Sequence, residues 1–286
     1  MAESVPPAEA VKKSGGMSNL VARLLTAVVV VPVLLYSLFW APWWAFFSIA
    51  MAASAASAME LSGMTLAGHR GLQVWSIIAA LGVFAVFYFA PSSLAVTSTV
   101  LAVVALGFLL ALFAPDPIES AGNRMGWLVV TPLFAGGMLS AIAQLHRLDH
   151  GGAWVVLSMM LAWFGDTGGY FAGRAFGKHK LYPKVSPKKT IEGAVGGAAA
   201  SIGGALLAHF WYLPDLPLLH AIALGLVASI VGQAGDLTIS LIKRSTGFKD
   251  SGFIVPGHGG LLDRIDALVM TGFATWLYAV WFLPPS

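Results

Sequence analysis

Three aspartates near the carboxyl-terminal end of the chain have the type and spacing that suit a divalent cation. Asp236 lies near the end of one apolar segment, and Asp263 and Asp266 begin the next one. Side chains three residues apart share a helix face, and the first turn of a helix favours negative charge. Because Mg²⁺ needs only one or two carboxylates when substrate phosphates and water complete its octahedron, these aspartates predict a Mg²⁺ site. Whether a second cation binds stays open. The alternative is that Asp263 only pairs with Arg264 and that Asp236 only caps a turn.

Basic residues follow Asp236 closely and suit phosphate groups. Asp236 and Lys243 lie on one polar stripe of an otherwise apolar segment, and Arg244 and Lys249 come next. A bidentate arginine with point-charge lysines beside a cation is a common way of holding phosphate. The pattern therefore predicts that Lys243, Arg244 and Lys249 bind phosphate, with ordinary basic flanking of a membrane span as the alternative.

A glycine-rich loop, Pro256-Gly-His-Gly-Gly260, separates these basic residues from Asp263. Glycines permit close backbone approach, so the amides of such a loop can line an anion site. His258 could bond a phosphate or take part in proton transfer. Taken by itself the loop gives weak support, because a lone histidine in a glycine turn is often only a turn residue.

Asp166 lies upstream in an apolar segment and shares a helix face with Tyr170, four residues later. Glycines 169, 173 and 177 repeat at four-residue spacing, which is typical of close helix packing rather than of nucleotide binding. Packing does not explain Asp166, because an ionisable residue inside a span is costly. We therefore predict that Asp166 belongs to the same polar site as the other aspartates and the basic residues.

The segment Ser186-Pro-Lys-Lys-Thr190 precedes another apolar stretch. Thr190 is a typical N-cap residue, and Lys188 and Lys189 lie just before a helix N-terminus, which itself attracts anions. This arrangement predicts a site for a triphosphate. A plain capped helix start with basic flanking is the alternative.

The elements that must position these residues are helices in a membrane. The chain is 58% hydrophobic and only 10% charged, which is unlike a soluble domain of its length. Nothing alternates with period two over strand lengths, so a barrel is not expected. The sequence predicts an all-α polytopic integral membrane protein with about nine transmembrane helices, at roughly 22–40, 43–61, 73–90, 93–113, 126–145, 154–173, 191–211, 217–239 and 261–283.

Charge placement predicts the orientation and the organisation of the chain. With a cytoplasmic N-terminus, all except Arg147 of the 16 lysines and arginines face the cytoplasm, as the positive-inside rule requires. We predict a disordered cytoplasmic tail at 1–19, transmembrane helices for scaffolding or dimerisation at 20–150, and a catalytic transmembrane region with cytoplasmic loops at 151–286. The absence of cysteine excludes disulfides and thiol chemistry, and no basic segment interleaved with aromatics suggests a nucleic-acid partner.

The stretch from Ser240 to Asp266 closely resembles the signature of the phosphatidate cytidylyltransferases, or CDP-diacylglycerol synthases. The family pattern reads S-x-x-K-R, then K-D, then P-x-H-G-G-x-x-D-R-x-D. Its fixed positions are filled by Ser240, Lys243, Arg244, Lys249, Asp250, Pro256, His258, Gly259, Gly260, Asp263, Arg264 and Asp266. The segments that begin at Asp166 and Ser186 also look like the family, whereas residues 1–150 match only in being apolar spans.

The resemblance implies transfer of the cytidylyl group of CTP to phosphatidate, giving CDP-diacylglycerol and pyrophosphate for phospholipid biosynthesis, with Mg²⁺. It also implies membrane lipids as partners, a homodimer, and a site facing the cytoplasm from a bacterial inner membrane. Catalytic roles would fall on Asp236, Asp263, Asp266 and Lys243, the three aspartates being metal ligands. Substrate binding would fall on Arg244, Lys249, Asp250, His258, Arg264, Ser186, Lys188, Lys189, Thr190 and Asp166.

Three other functions are alternatives. Intramembrane carboxylates beside glycine-broken helices also occur in ion-coupled carriers, but carriers place them near the bilayer midplane rather than at helix ends beside basic loops. A CTP-dependent lipid-alcohol kinase, or an archaeal-type lipid cytidylyltransferase, would share the nucleotide chemistry, and the complete signature argues against both. Which basic loop holds CTP and which holds phosphatidate stays open, as does the preferred acyl chain.

Overall fold

The computed structural model describes residues 16–255 and 259–283, with side chains described from residue 28 onward. Its helices are α1 (Gly16–Phe39), α2 (Trp43–Thr65), α3 (Arg70–Phe89), α4 (Ser93–Phe113), α5 (Ala121–Pro132), α6 (Leu139–Leu145), α7 (Gly151–Phe176), α8 (Ile191–Trp211), α9 (Leu218–Ser245) and α10 (Leu262–Phe282). Two short strands, β1 (Lys180–Tyr182) and β2 (Ser186–Thr190), form an antiparallel hairpin between α7 and α8. The predicted all-α class is therefore confirmed.

Seven helical segments are long and apolar enough to cross a membrane: α2, α3, α4, the run Ile118–Leu145, α8, α9 and α10. Helices α1 and α7 cover the other two predicted spans. Because α1 begins at Gly16, it includes residues 16–19, which the sequence assigned to a disordered tail. Residues 1–15 of that predicted tail lie outside the described part of the chain. The structure is that of a multi-pass membrane protein.

The run Ile118–Leu145 is not one regular helix. Pro132 ends α5, and a π-helical segment at Leu133–Met138 joins it to α6. Proline removes a backbone donor and clashes with the preceding turn, which disturbs the regular hydrogen-bond ladder. Gly136 then lies so close to the Ala80 carbonyl of α3 that a side chain there would collide with it.

Helices α7 and α8 pack through glycine, as the four-residue spacing predicted. A methyl group on Gly193 would lie 2.8 Å from the Gly169 carbonyl oxygen, and one on Gly173 would lie 3.1 Å from Thr190 Oγ1. In a membrane, small residues allow such close approach and replace the hydrophobic driving force between helices. This contact holds the start of α8 beside the polar end of α7.

Helices α9 and α10 pack in the same way. A methyl group on Gly235 would lie 2.8 Å from the Asp266 carbonyl oxygen. Thr271 of α10 also donates a 3.0 Å hydrogen bond to the Ser158 carbonyl of α7. Because Gly235 rests on the turn that carries Asp266, the next residue, Asp236, is brought beside α10.

Candidate functional site

A cleft of about 430 Å³ opens between α7, α8, α9 and the hairpin. It is lined by polar and small residues: Gly165, Asp166, Gly169, Tyr170, Gly173, Arg174, Leu181, Lys188, Lys189, Thr190, Gly193, Ala194, Gln233 and Asp236. Five of the predicted site residues, which come from three separate segments of the sequence, therefore share one cavity. They are Asp166, Lys188, Lys189, Thr190 and Asp236.

An ion pair crosses this cleft. Lys189 Nζ lies 2.6 Å from Asp236 Oδ2, and both side chains are 27% exposed. Ser240, one turn further along α9, donates a 3.3 Å hydrogen bond to Asp236 Oδ1. An ion pair this accessible to solvent contributes little to stability and can exchange partners when a charged ligand arrives.

The hairpin is fastened to the start of α8, which fixes where Lys188 and Lys189 point. Thr190 accepts a 3.1 Å hydrogen bond from the Gly193 amide, so the predicted N-cap is confirmed. Glu192 accepts a 3.1 Å bond from the Lys178 amide and lies 2.6 Å from His179 Nδ1. The basic residues therefore sit beside a helix N-terminus, where backbone amides also favour an anion.

Two carboxylates line the cleft, Asp166 and Asp236, and a third, Asp266, lies within electrostatic range of both. Asp166 of α7 and Asp236 of α9 both act electrostatically on Asp266 of α10. Asp266 is half-buried and accepts a 2.7 Å hydrogen bond from its neighbouring Ala267 amide. Like charges that act on one another repel unless a cation or a basic side chain is present.

Asp263 is placed differently from the other aspartates. Its Oδ1 lies 2.5 Å from Lys243 Nζ, and its Oδ2 accepts a 2.7 Å hydrogen bond from the Ser251 amide and lies 3.0 Å from the Ser251 hydroxyl oxygen. The Asp263 and Lys243 side chains are only 10% and 12% exposed. Asp263 is therefore held in a nearly buried ion pair, and its partner is Lys243.

The expected convergence of Asp236, Asp263 and Asp266 stays a prediction. Asp263 contacts Lys243 and Ser251, and the carboxylates that act electrostatically on Asp266 are Asp236 and Asp166. Within residues 16–255 and 259–283, no group of three or more acidic or histidine side chains is arranged to hold a metal ion alone. The carboxylates of the cleft do fit a Mg²⁺ ion that takes its remaining ligands from substrate phosphates and water.

Glu60 of α2 anchors the segment that carries Asp263, and sequence reasoning missed it. It is 5% exposed and accepts hydrogen bonds from the Leu261 amide at 2.9 Å, the Leu262 amide at 2.8 Å and the Ser251 hydroxyl at 2.8 Å. We call the network of Glu60, Ser251, Asp263 and Lys243 the clamp. A single acidic residue in the otherwise apolar 43–61 segment was the available signal, since such residues are expensive in a span.

The remaining predicted residues lie elsewhere. Arg244, Lys249 and Asp250 are exposed at the end of α9 and in the loop after it, and they do not line the cleft. Ser186 is half-buried at the start of β2. Arg264 borders an apolar groove, and His258 lies outside the described residues.

Comparison with known proteins places the chain among cytidylyltransferases. The model of the cytidylyltransferase family matches residues 21–282. The chain is 34% identical to the phosphatidate cytidylyltransferase of Brucella suis over 285 residues, which cover 94% of this chain and 97% of that protein. It is 36% identical to that of Pseudomonas aeruginosa over 274 residues, 92% of this chain and 98% of the other. These matches include the first helices, which the motif resemblance did not reach.

Proposed function

The chain belongs to the cytidylyltransferase family, and we propose that it transfers the cytidylyl group of CTP to phosphatidate, giving CDP-diacylglycerol and pyrophosphate. The observation that carries this proposal is the cleft that joins Asp166 and Asp236 to Lys188, Lys189 and the start of α8. Acidic and basic groups side by side suit a cation and a polyphosphate together.

The triphosphate of CTP is proposed to lie in the cleft. Lys188 and Lys189 supply positive charge beside the N-terminus of α8, and Gln233 and Thr190 line the same cleft. Lys189 already contacts a carboxylate, Asp236, at 2.6 Å. A phosphate oxygen can replace that carboxylate as the partner of Lys189, which leaves Asp236 available to a cation.

The reaction needs positioning more than proton transfer. A phosphate oxygen of phosphatidate attacks the α-phosphorus of CTP in line, the new P–O bond forms, and the bond to the leaving pyrophosphate breaks. The attacking phosphate is already ionised near neutral pH, so a strong general base is not required. We therefore assign Asp250 and His258 to ligand positioning rather than to proton abstraction.

Mg²⁺ is the proposed cofactor. When bound, the ion neutralises charge that builds on the phosphates during transfer. Asp236 and Asp266 would hold it, and Asp166 lies within electrostatic range of both. Asp263 would join them only if Lys243 moved from it to a substrate phosphate. A second cation stays a prediction.

We also propose that the protein lies in a bacterial inner membrane with the cleft facing the cytoplasm. The distribution of lysine and arginine supports this orientation, and both substrates would then be reachable, CTP from the water and phosphatidate from the inner leaflet. The homodimer implied by the family resemblance stays a prediction.

An assay with purified full-length protein tests the proposed function. CTP labelled at its α-phosphorus, together with phosphatidate and Mg²⁺, should give a labelled CDP-lipid and unlabelled pyrophosphate. A lipid-alcohol kinase would instead release CDP and leave the label out of the lipid, and a carrier would give no product. Absence of CDP-lipid across several lipids and metals would contradict the proposal.

A further inference from the structure

An apolar groove of about 460 Å³ lies beside the clamp, outside the cleft. One wall is formed by Leu261, which directly precedes α10, with Ile265 and Leu268 of that helix, and another wall is the face of α2 that carries Phe46 and Ala53. Helices α1, α6 and α7 complete the groove. On α2 the lining residues extend from Phe46 to Ala53, which is two helical turns or about 10 Å along the axis, and on α10 they extend from Arg264 to Leu268, about one turn.

The groove has one polar end. Arg264 is the charged residue among the described side chains that line it, and it is exposed. It lies in the first turn of α10, directly after Asp263, so this end of the groove adjoins the clamp. The Glu60 bond to the Leu261 amide fixes the position of the same turn.

The other end of the groove is apolar. It is formed by Leu34 of α1 and Phe46 of α2, near the turn that joins these two helices. A guanidinium at one end and hydrocarbon along the rest match a lipid with a phosphate head and a long tail. A free nucleotide has no hydrocarbon chain to fill such a groove.

A second apolar groove, between α9 and α10, lacks this polarity. It is lined by residues such as Val227, Phe273 and Trp281, and its most polar residue is His220, which contacts the Tyr278 hydroxyl at 2.9 Å. No arginine or lysine is among its described lining residues. It therefore offers no partner to an anionic head group.

We propose that the groove between α2 and α10 binds an acyl chain of phosphatidate, with Arg264 beside the lipid phosphate. This assignment rests on the proposed function. It places the lipid on the clamp side of α10 and the nucleotide on the cleft side, so that the two phosphates meet near the first turn of that helix. It also selects Arg264, rather than Lys188 and Lys189, as the lipid-binding cation.

The test is a comparison of two substitutions at neighbouring positions of α2. Ala53 lines the groove and Ala52 is exposed on the outside of the same helix, so Ala52→Phe is a matched control for Ala53→Phe. With dioleoyl phosphatidate, Ala53→Phe should raise KM at least about tenfold, the loss expected when two methylene groups cannot be buried. With dibutanoyl phosphatidate, whose chains are too short to fill the groove, KM should stay within about twofold, and so should KM for CTP.

The Arg264→Gln variant tests the contact with the lipid phosphate separately from the contact with the acyl chain. This variant should raise KM for the long-chain and the short-chain lipid alike, because both carry the same phosphate. If Ala53→Phe and Ala52→Phe behave alike with both lipids while the unsubstituted protein makes CDP-lipid, the groove assignment is wrong and the proposed function stands. If the unsubstituted protein makes no CDP-lipid, the proposed function itself fails.

Photo-crosslinking tests the groove without any substitution. Phosphatidate with a diazirine in its acyl chain should label α2 and α10 residues of the groove in the unsubstituted protein, and excess dioleoyl phosphatidate should compete with the label. Specific labelling of the α9–α10 groove instead would overturn the assignment.

Discussion

The cleft and the clamp use the same residue types in two different environments. In the cleft, Lys189 and Asp236 are each 27% exposed and contact one another at 2.6 Å. In the clamp, Lys243 and Asp263 are 12% and 10% exposed, and Ser251 and Glu60 complete the hydrogen bonds around them. The accessible pair can exchange its partners for a ligand, whereas the nearly buried pair is suited to holding a loop in place.

Loss of a cleft carboxylate should give the largest effect on turnover. Asp236→Asn removes a negative charge at the proposed cation, so kcat should fall at least about a thousandfold while the protein still inserts in the membrane. Asp215→Asn, at an exposed loop position outside the cleft, is the matched control. CDP-lipid formation by the two purified variants measures the difference, and near-normal turnover of Asp236→Asn would remove this aspartate from the site.

Loss of the Glu60 carboxylate from the clamp should reduce the free energy of unfolding as well as turnover. Glu60→Gln replaces one acceptor oxygen by an amide donor that faces backbone amides or the Ser251 hydroxyl, at a cost of about 1–3 kcal/mol for each unsatisfied group. Thermal unfolding in detergent should therefore begin at a lower temperature, and kcat should fall about tenfold or more. KM for CTP should change less than about twofold, because the cleft is not touched.

Met59→Gln provides the control for this substitution, because Met59 is adjacent on α2 and is 48% exposed. Glu60→Asp keeps the charge and should recover part of the lost activity. An unchanged melting temperature and kcat in Glu60→Gln would show that the clamp does not position the loop.

A double-mutant cycle should show that Lys243 and Asp263 act as a pair. Removing one partner leaves an uncompensated charge in a nearly buried place, which is more costly than removing both. We expect a coupling free energy of about 1–3 kcal/mol between Lys243→Met and Asp263→Asn in chemical unfolding. Additive effects on unfolding would mean that the two side chains do not stabilise one another.

The smallest stability effect should come from the accessible pair. Lys189→Gln should change the free energy of unfolding by less than about 1 kcal/mol, since exposed ion pairs contribute little. The same unfolding experiment on Lys184→Gln, at an exposed position of the hairpin turn, gives the baseline. If Lys189→Gln lowers the free energy of unfolding as much as Glu60→Gln does, the cleft pair and the clamp do not differ in their contribution to stability.

Local patterns predicted the parts of this molecule that depend on neighbours in sequence. Apolar length predicted segments that coincide with helices, Thr190 predicted the cap of α8, and the glycine spacing predicted that α7 packs closely against another helix. Each of these features depends on residues a few positions apart, so composition and period are enough to find them.

The sequence could not predict which charged groups meet across helices. Asp263 and Asp266 share a helix turn, yet Asp263 pairs with Lys243 of α9 while Asp266 lies near Asp166 and Asp236. Helical spacing shows that two side chains share a face but not which neighbour that face meets. Glu60 was missed for the same reason, because its partners Ser251, Leu261 and Leu262 lie about two hundred positions away in the chain.

Equilibrium binding of CTP tests the central claim that the cleft is the nucleotide site. Full-length protein in detergent should be titrated with CTP and Mg²⁺ in three forms: unsubstituted, with Lys188→Gln and Lys189→Gln together, and with Lys184→Gln. We predict that the double substitution raises Kd at least about tenfold, the equivalent of one lost charge-assisted hydrogen bond, and that Lys184→Gln leaves it within about twofold. Equal CTP affinity in all three forms would contradict the assignment of the cleft.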